Sequence, residues 1–196
     1  MARPNSKRYS SLNAPVILSF VFLCLVALVL DKLTNGTTTR NWFMVYHCPL
    51  NSVGAYVRFF GHVLGHSGWA HFFNNTLYIL LLGPAIEEKY GSGITILTIT
   101  LTALVTGLIQ FFLFPGAALL GASGVVFMLI VFSSFTSFRN NEIPVTAILV
   151  FLLYVGQEVY NAVAVTDGIS QMAHIAGGVL GVIFGLTFRS ENRVRG

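Results

Sequence analysis

Residues 90–138, YGSGITILTITLTALVTGLIQFFLFPGAALLGASGVVFMLIVFSSFTSF, run for 49 positions without a lysine, arginine, aspartate or glutamate. A helix needs about 20 apolar residues to cross the hydrocarbon core of a bilayer, so this stretch holds two spans. The break falls at Phe114-Pro115-Gly116, where proline and glycine interrupt a helix. On either side the charges come in clumps separated by long gaps: 22 uncharged residues between Arg8 and Asp31, 28 between Arg58 and Glu87, 15 between Glu142 and Glu158, and 21 between Asp167 and Arg189. The gaps predict six spans, at 14–30, 70–86, 93–113, 121–138, 145–163 and 169–188.

Composition agrees. Of 196 residues, 55% are hydrophobic and 9% charged, and the mean hydropathy is +0.75. Soluble domains carry about 25% charged residues, so this chain cannot coat a soluble surface. Disorder, collagen, coiled coil and nucleic-acid binding by a basic domain are excluded on the same grounds. Cys24 and Cys48, the two cysteines, make neither a disulfide framework nor a paired-cysteine zinc site. The fold class expected is an all-α polytopic membrane protein.

An even number of spans puts both termini on one side. That side collects Arg3, Lys7, Arg8, Lys89, Arg139, Arg189, Arg193 and Arg195, eight of the eleven basic residues, and is therefore cytosolic by the positive-inside rule. The expected organisation is a cytosolic tail (1–13), a membrane domain (14–188) and a second cytosolic tail (189–196). The first span is read as retained, since no small-x-small cleavage site follows it. The first loop, 31–69, carries Trp42, Phe43, Tyr46, Tyr56, Phe59, Phe60 and Trp69, rings suited to the membrane–water interface. It is expected to lie partly in the outer leaflet. Asn35-Gly36-Thr37 within it is a glycosylation sequon, meaningful only in a eukaryotic host.

Polar groups inside a bilayer are costly and mark packing or function. Span two opens with His71-Phe72-Phe73-Asn74-Asn75, span four with Gly121-Ala122-Ser123-Gly124, and span six carries Ala173-His174 followed by Gly177, Gly181 and Gly185. Counting about 1.5 Å per residue from Glu87, Arg139 and Arg189 puts His71, Ser123 and His174 at one depth, about 22–24 Å from the cytosolic edge. A shared site requires such a coincidence. The glycine repeat lets two helix backbones approach closely, without naming the partner; if it is span four, His174 comes within reach of Ser123.

Serine becomes a nucleophile when a neighbouring base takes its proton, and histidine is the usual base. No carboxylate lies at this depth, so a Ser123–His174 dyad is expected. Ser123 sits at a helix start, whose unpaired N–H groups and dipole favour negative charge. Together with His71 and Asn75 those groups make an oxyanion site. Taken singly, each element has a plainer reading: a serine beside glycines as packing, a histidine or Asn75 as an interhelical hydrogen-bond donor. Their matched depth favours catalysis. His62, His66 and His71 lack the glutamate of a His-Glu-x-x-His metal motif, and no metal or cofactor is expected. Glu158 and Asp167 read as solvated or paired.

From Arg58 through His62, His66, His71 and Asn75, then Gly121-Ala122-Ser123-Gly124, then Ala173-His174 with Gly177 and Gly181, the chain resembles the rhomboid intramembrane serine proteases. The resemblance covers about residues 56–188. It implies the minimal six-helix fold, Ser123 as nucleophile, His174 as general base, His71 and Asn75 as oxyanion-site side chains, and Gly121, Gly124, Phe127, Gly177 and Gly181 as support. The substrate implied is a transmembrane segment of another membrane protein, cut near its outer end, with gating by span five and the loop at 164–168. The membrane implied is the plasma membrane, the inner one in a bacterium. Two positions depart from the family pattern: Val57 stands where tryptophan often precedes the loop arginine, and Phe127 where tyrosine is common. The alternatives are a rhomboid-like protein that binds or escorts membrane clients without cutting them, and a small transporter. Relatives of the first kind typically lack the serine or histidine; the second needs paired repeats and broken helices, which are not visible in this sequence.

Overall fold

A computed structural model describes residues 13–135 and 168–188, with isolated helical positions between 145 and 156. The tail before Asn13, most of the predicted fifth span, Glu158, Asp167, the loop at 164–167 and the tail from Arg189 onward lie outside the described residues.

Helix α1 (Pro15–Leu33) starts with proline at its first position, where the missing N–H costs no hydrogen bond. Its next two amides, Val16 and Ile17, each donate to the Glu87 carboxylate at 3.0 Å. Ser92 Oγ donates to the same carboxylate at 2.7 Å. Glu87, a charge that in the sequence marks the cytosolic edge, is thus 4% exposed, because it holds helix-start amides 71 and 70 residues earlier. Helix α4 (Trp69–Tyr90) supplies it and runs four residues beyond the predicted end of span two, through Pro84.

The first loop is folded. It contains α2 (Thr37–Trp42), strand β1 (Val45–Tyr46), α3 (Val53–Gly61) and a 3₁₀ turn at His62–Leu64. Asp31 Oδ1 accepts the Thr39 amide at 3.2 Å, tying α1 to α2. Strand β1 pairs antiparallel with β2 (Ala118–Leu119), Val45 opposite Leu119. Arg58 is buried. It donates to the Asn41 carbonyl and to Cys48 Sγ and lies over the Tyr46 ring.

Helix α5 (Ser92–Leu113) ends at the predicted break, with Phe114 as its C-cap. Its inward face carries Thr95, Thr98, Thr102 and Thr106, all buried, and each hydroxyl donates to a carbonyl three or four residues back. These short side chains bond back within the helix, and Thr106 Oγ1 also lies 3.2 Å from His62 Nε2. Helix α6 (Ser123–Ser133) is shorter than the predicted span 121–138. Gly121 takes a left-handed conformation before it, and the Ser133 and Ser134 hydroxyls bond the Ile130 carbonyl where it ends. The last described helix is α7 (Gly168–Thr187).

Helix α6 is the core. Val125, Met128, Leu129, Val131 and Phe132 have essentially no exposed surface. The outward residues of the longer helices are apolar as well: Phe22 and Leu23 on α1, Phe73, Leu77 and Leu81 on α4, Ile96 and Phe112 on α5. Among the described residues, α1 and α5 are long and apolar enough to cross a membrane.

Candidate active site

The site is assembled around the turn that leads into α6. Gln110, fully buried on α5, donates from Nε2 to the carbonyls of Phe114 and Ala117 at 3.3 and 3.1 Å. That fixes the start of the connection, and the β1–β2 pair fixes Leu119 two residues before the turn. Gly121 then adopts φ +123°, a conformation that L side chains avoid, and its N–H donates to the His62 carbonyl at 2.9 Å. The chain re-enters helical geometry at once, so Ser123 is the first residue of α6. The first N–H groups of a helix have no intrahelical partner. Ser123 is half-buried.

Two α4 side chains face this turn. A side chain on Gly121 would begin 2.8 Å from His71 Nε2 and 3.8 Å from Asn75 Nδ2. Asn75 is buried, and its Nδ2 lies 3.1 Å from His66 Nε2. His71 Nδ1 lies 3.1 Å from Ser67 Oγ. Two consecutive residues of the connection into α4 therefore grip the two side chains that the sequence assigned to an oxyanion site.

The third element is α7. Gly124, next to Ser123, is close-packed against Ala173, and Gly177 sits on the Gly124 carbonyl. Gly181 follows against the Met128 carbonyl and Val131, and Gly185 against Phe135. The glycine repeat is thus seated on α6 along its length. His174 lies between the residues that touch Gly124, and its ring stacks on Phe127, with centroids 4.3 Å apart and planes 9° from parallel. His71 and His174 are near enough to interact electrostatically. Among the described residues no hydrogen bond joins Ser123 to His174, whose ring rests on Phe127. Bonds between nucleophile and base are often long until substrate binds.

Sequence reasoning missed His66, Ser67 and the backbone of His62. In the sequence His66 stands out only for its spacing from His62 and His71. Its actual partners, the Leu64 carbonyl and Asn75, depend on how the loop folds back over α4.

The rhomboid domain model matches residues 53–191. The chain belongs to the rhomboid family, whose members are integral membrane proteins. It is 28% identical over 175 residues to the rhomboid protease GluP of Bacillus subtilis, covering 84% of this chain and 33% of that protein. It is 26% identical over 191 residues to the rhomboid protease GlpG of Klebsiella pneumoniae, covering 92% and 66%, and 30% identical over 115 residues to that of Salmonella typhi, covering 59% and 41%. The matched part spans a third to two thirds of the length of these relatives.

Proposed function

We propose that this chain is an intramembrane serine endopeptidase, a six-span bundle over residues 14–188 with both termini in the cytosol, that cuts transmembrane segments of other membrane proteins with a Ser123–His174 dyad. The observation that carries the reading is the meeting of three elements at one junction: the glycine turn into Ser123, the His71 and Asn75 side chains opposite Gly121, and His174 stacked on Phe127. The rhomboid protease relatives support it independently.

In this mechanism His174 accepts the Ser123 proton as Oγ attacks the scissile carbonyl, then passes it to the leaving amine. The α6 N–H groups, Asn75 Nδ2 and His71 hold the negative oxygen of the tetrahedral intermediate. One such donor is worth about 10²–10³ in rate in soluble enzymes. Water then attacks the acyl-enzyme with His174 again as base, which regenerates Ser123. A helical peptide bond is shielded and its carbonyl engaged, so substrates with glycine or proline near the cut unwind more readily.

The test is cleavage of a reporter transmembrane substrate in liposomes by wild type, Ser123→Ala and His174→Ala. Both variants should lose cleavage. A fluorophosphonate probe should label wild type, fail on Ser123→Ala and react slowly with His174→Ala. Cleavage unchanged in Ser123→Ala would end the assignment.

A further inference from the structure

His66 lies in the connection between the 3₁₀ turn and α4 and is 1% exposed. Its Nδ1 is 3.1 Å from the Leu64 carbonyl oxygen, and its Nε2 is 3.1 Å from Asn75 Nδ2. These contacts determine the proton positions. A carbonyl only accepts, so Nδ1 carries a hydrogen. A neutral imidazole has one N–H, so Nε2 is bare and must be met by a donor. The ring is neutral because burial pushes its pKa down to about 4, helped by nearby His71 and opposed by the Leu64 carbonyl. The Asn75 amide is therefore held nitrogen-first against His66. A flipped amide would set its oxygen against the lone pair of Nε2 and leave Oδ1 on the Gly121 side.

An amide nitrogen has two hydrogens. His66 takes one. The other remains for the pocket beside the Gly121 turn, where Nδ2 lies 3.8 Å from the point at which a side chain would begin. We propose that His66 is a positioning residue: relayed through its imidazole, the Leu64 carbonyl fixes the Asn75 carboxamide so that an N–H, never the oxygen, faces the turn before Ser123. The proposal rests on the serine-protease reading given above. It adds that the oxyanion donor is oriented by a residue that touches no substrate.

Aromatic packing alone does not account for the arrangement. The His66 ring meets the rings of His71 and Phe72 edge-on, at 5.1 and 5.5 Å, and phenylalanine could preserve both contacts. Only the two ring nitrogens connect Leu64 to Asn75. Glutamine can reproduce that connection, donating from its amide nitrogen to Leu64 and accepting from Asn75 with its oxygen. Phenylalanine cannot.

The experiment compares wild type, His66→Phe and His66→Gln, each alone and combined with Asn75→Ala, on the transmembrane reporter in liposomes. Active sites are counted by the end point of fluorophosphonate labelling, and Ser123→Ala is run alongside. His66→Phe is expected to lower kcat per labelled site by about 10–100-fold, short of loss of the donor itself, with KM within about twofold of wild type, since a donor felt mainly in the transition state moves kcat. His66→Gln should recover most of that loss. In the Asn75→Ala background, His66→Phe should have no further effect, because its only route to the chemistry is gone. A loss of equal size in both backgrounds, or a glutamine variant as slow as phenylalanine, would overturn the proposal. Should His66→Phe fail to fold, ¹⁵N chemical shifts of the wild-type ring decide: protonated Nδ1 with bare Nε2 supports the relay, and the opposite tautomer rejects it. Labelling of Ser123→Ala would instead reject the parent reading, an outcome distinct from either.

Discussion

The His174 imidazole lies flat against the Phe127 ring, 4.3 Å between centroids and 9° from parallel. Phe127 stands one helical turn beyond Ser123 on α6, so the helix that carries the proposed nucleophile also supplies the surface on which the proposed base rests. A stacked pair of this kind contributes about 0.5–1.5 kcal/mol beyond the area it buries. Phe127→Ala should therefore weaken the hold on the imidazole and slow cleavage by roughly 3–10-fold per labelled site, while Phe127→Tyr keeps the ring and should stay near wild type. Single-turnover cleavage by the three proteins checks this. A slow tyrosine variant with a normal alanine variant would contradict the role given to the stack.

The α6–α7 contact tolerates no added carbon at its closest point. A methyl group on Gly177 would strike the Gly124 carbonyl, whereas a methyl on Gly93, at the start of α5, meets nothing within 4 Å. Overpacking of a rigid backbone contact costs about 1–3 kcal/mol or more. Gly177→Ala should lower the thermal midpoint by several degrees and move His174 away from α6, so that labelling falls more than stability does. Gly93→Ala should match or slightly exceed wild type. Melting curves and labelling rates measured in the same detergent separate the two effects.

Much of this architecture could be read from the order of residues, and the reason is physical. Helices whose outward residues are apolar need long uncharged runs, so the gaps between charges located α1, α4, α5 and α7 to within about four residues. Glycines at Gly177, Gly181 and Gly185 announced a close helix contact, but their partner depends on tertiary arrangement and only the fold names α6. The first loop was opaque. A two-residue strand pairing Val45 with Leu119 leaves no periodic trace. The grip of His66 on Asn75 joins a loop residue to a helix residue, and only the folding-back of the loop brings them together. Glu87 misled because a carboxylate beside Glu88 and Lys89 looks like an edge-of-membrane charge, and its partners lie 70 and 71 residues away.

That carboxylate gives a third prediction. Glu87 accepts two α1 amides and the Ser92 hydroxyl, and its negative charge sits where the helix dipole favours it. Glu87→Ala strands buried N–H groups, each costing about 1–3 kcal/mol when left unsatisfied. Glu87→Gln keeps one good acceptor and should lose roughly half as much. Thermal unfolding in detergent should rank wild type above glutamine and glutamine above alanine. Cleavage per labelled site should stay level, because Glu87 lies at the end of α4 away from His71 and Asn75.

Acid should destabilise the fold through two buried histidines. His62 and His66 are buried outside the spanning helices, and burial pushes both pKa values from 6.5 down to about 4. The carbonyls of Arg58 and Phe59 oppose this at His62, and that of Leu64 at His66. Folding therefore holds both rings neutral where the unfolded chain would protonate them. Their contribution is complete above pH 6.5 and falls away as the pH drops from 6.5 to about 4, where the folded rings also take up protons. A drop of that size corresponds to on the order of 3 kcal/mol per ring. The thermal midpoint should thus decline steeply between pH 6.5 and 4.5 and change little between pH 7 and 8. His66→Gln removes one of the two groups and should flatten the acid limb by about half. A glutamine variant whose acid limb matches wild type would show that His66 is not among the groups responsible.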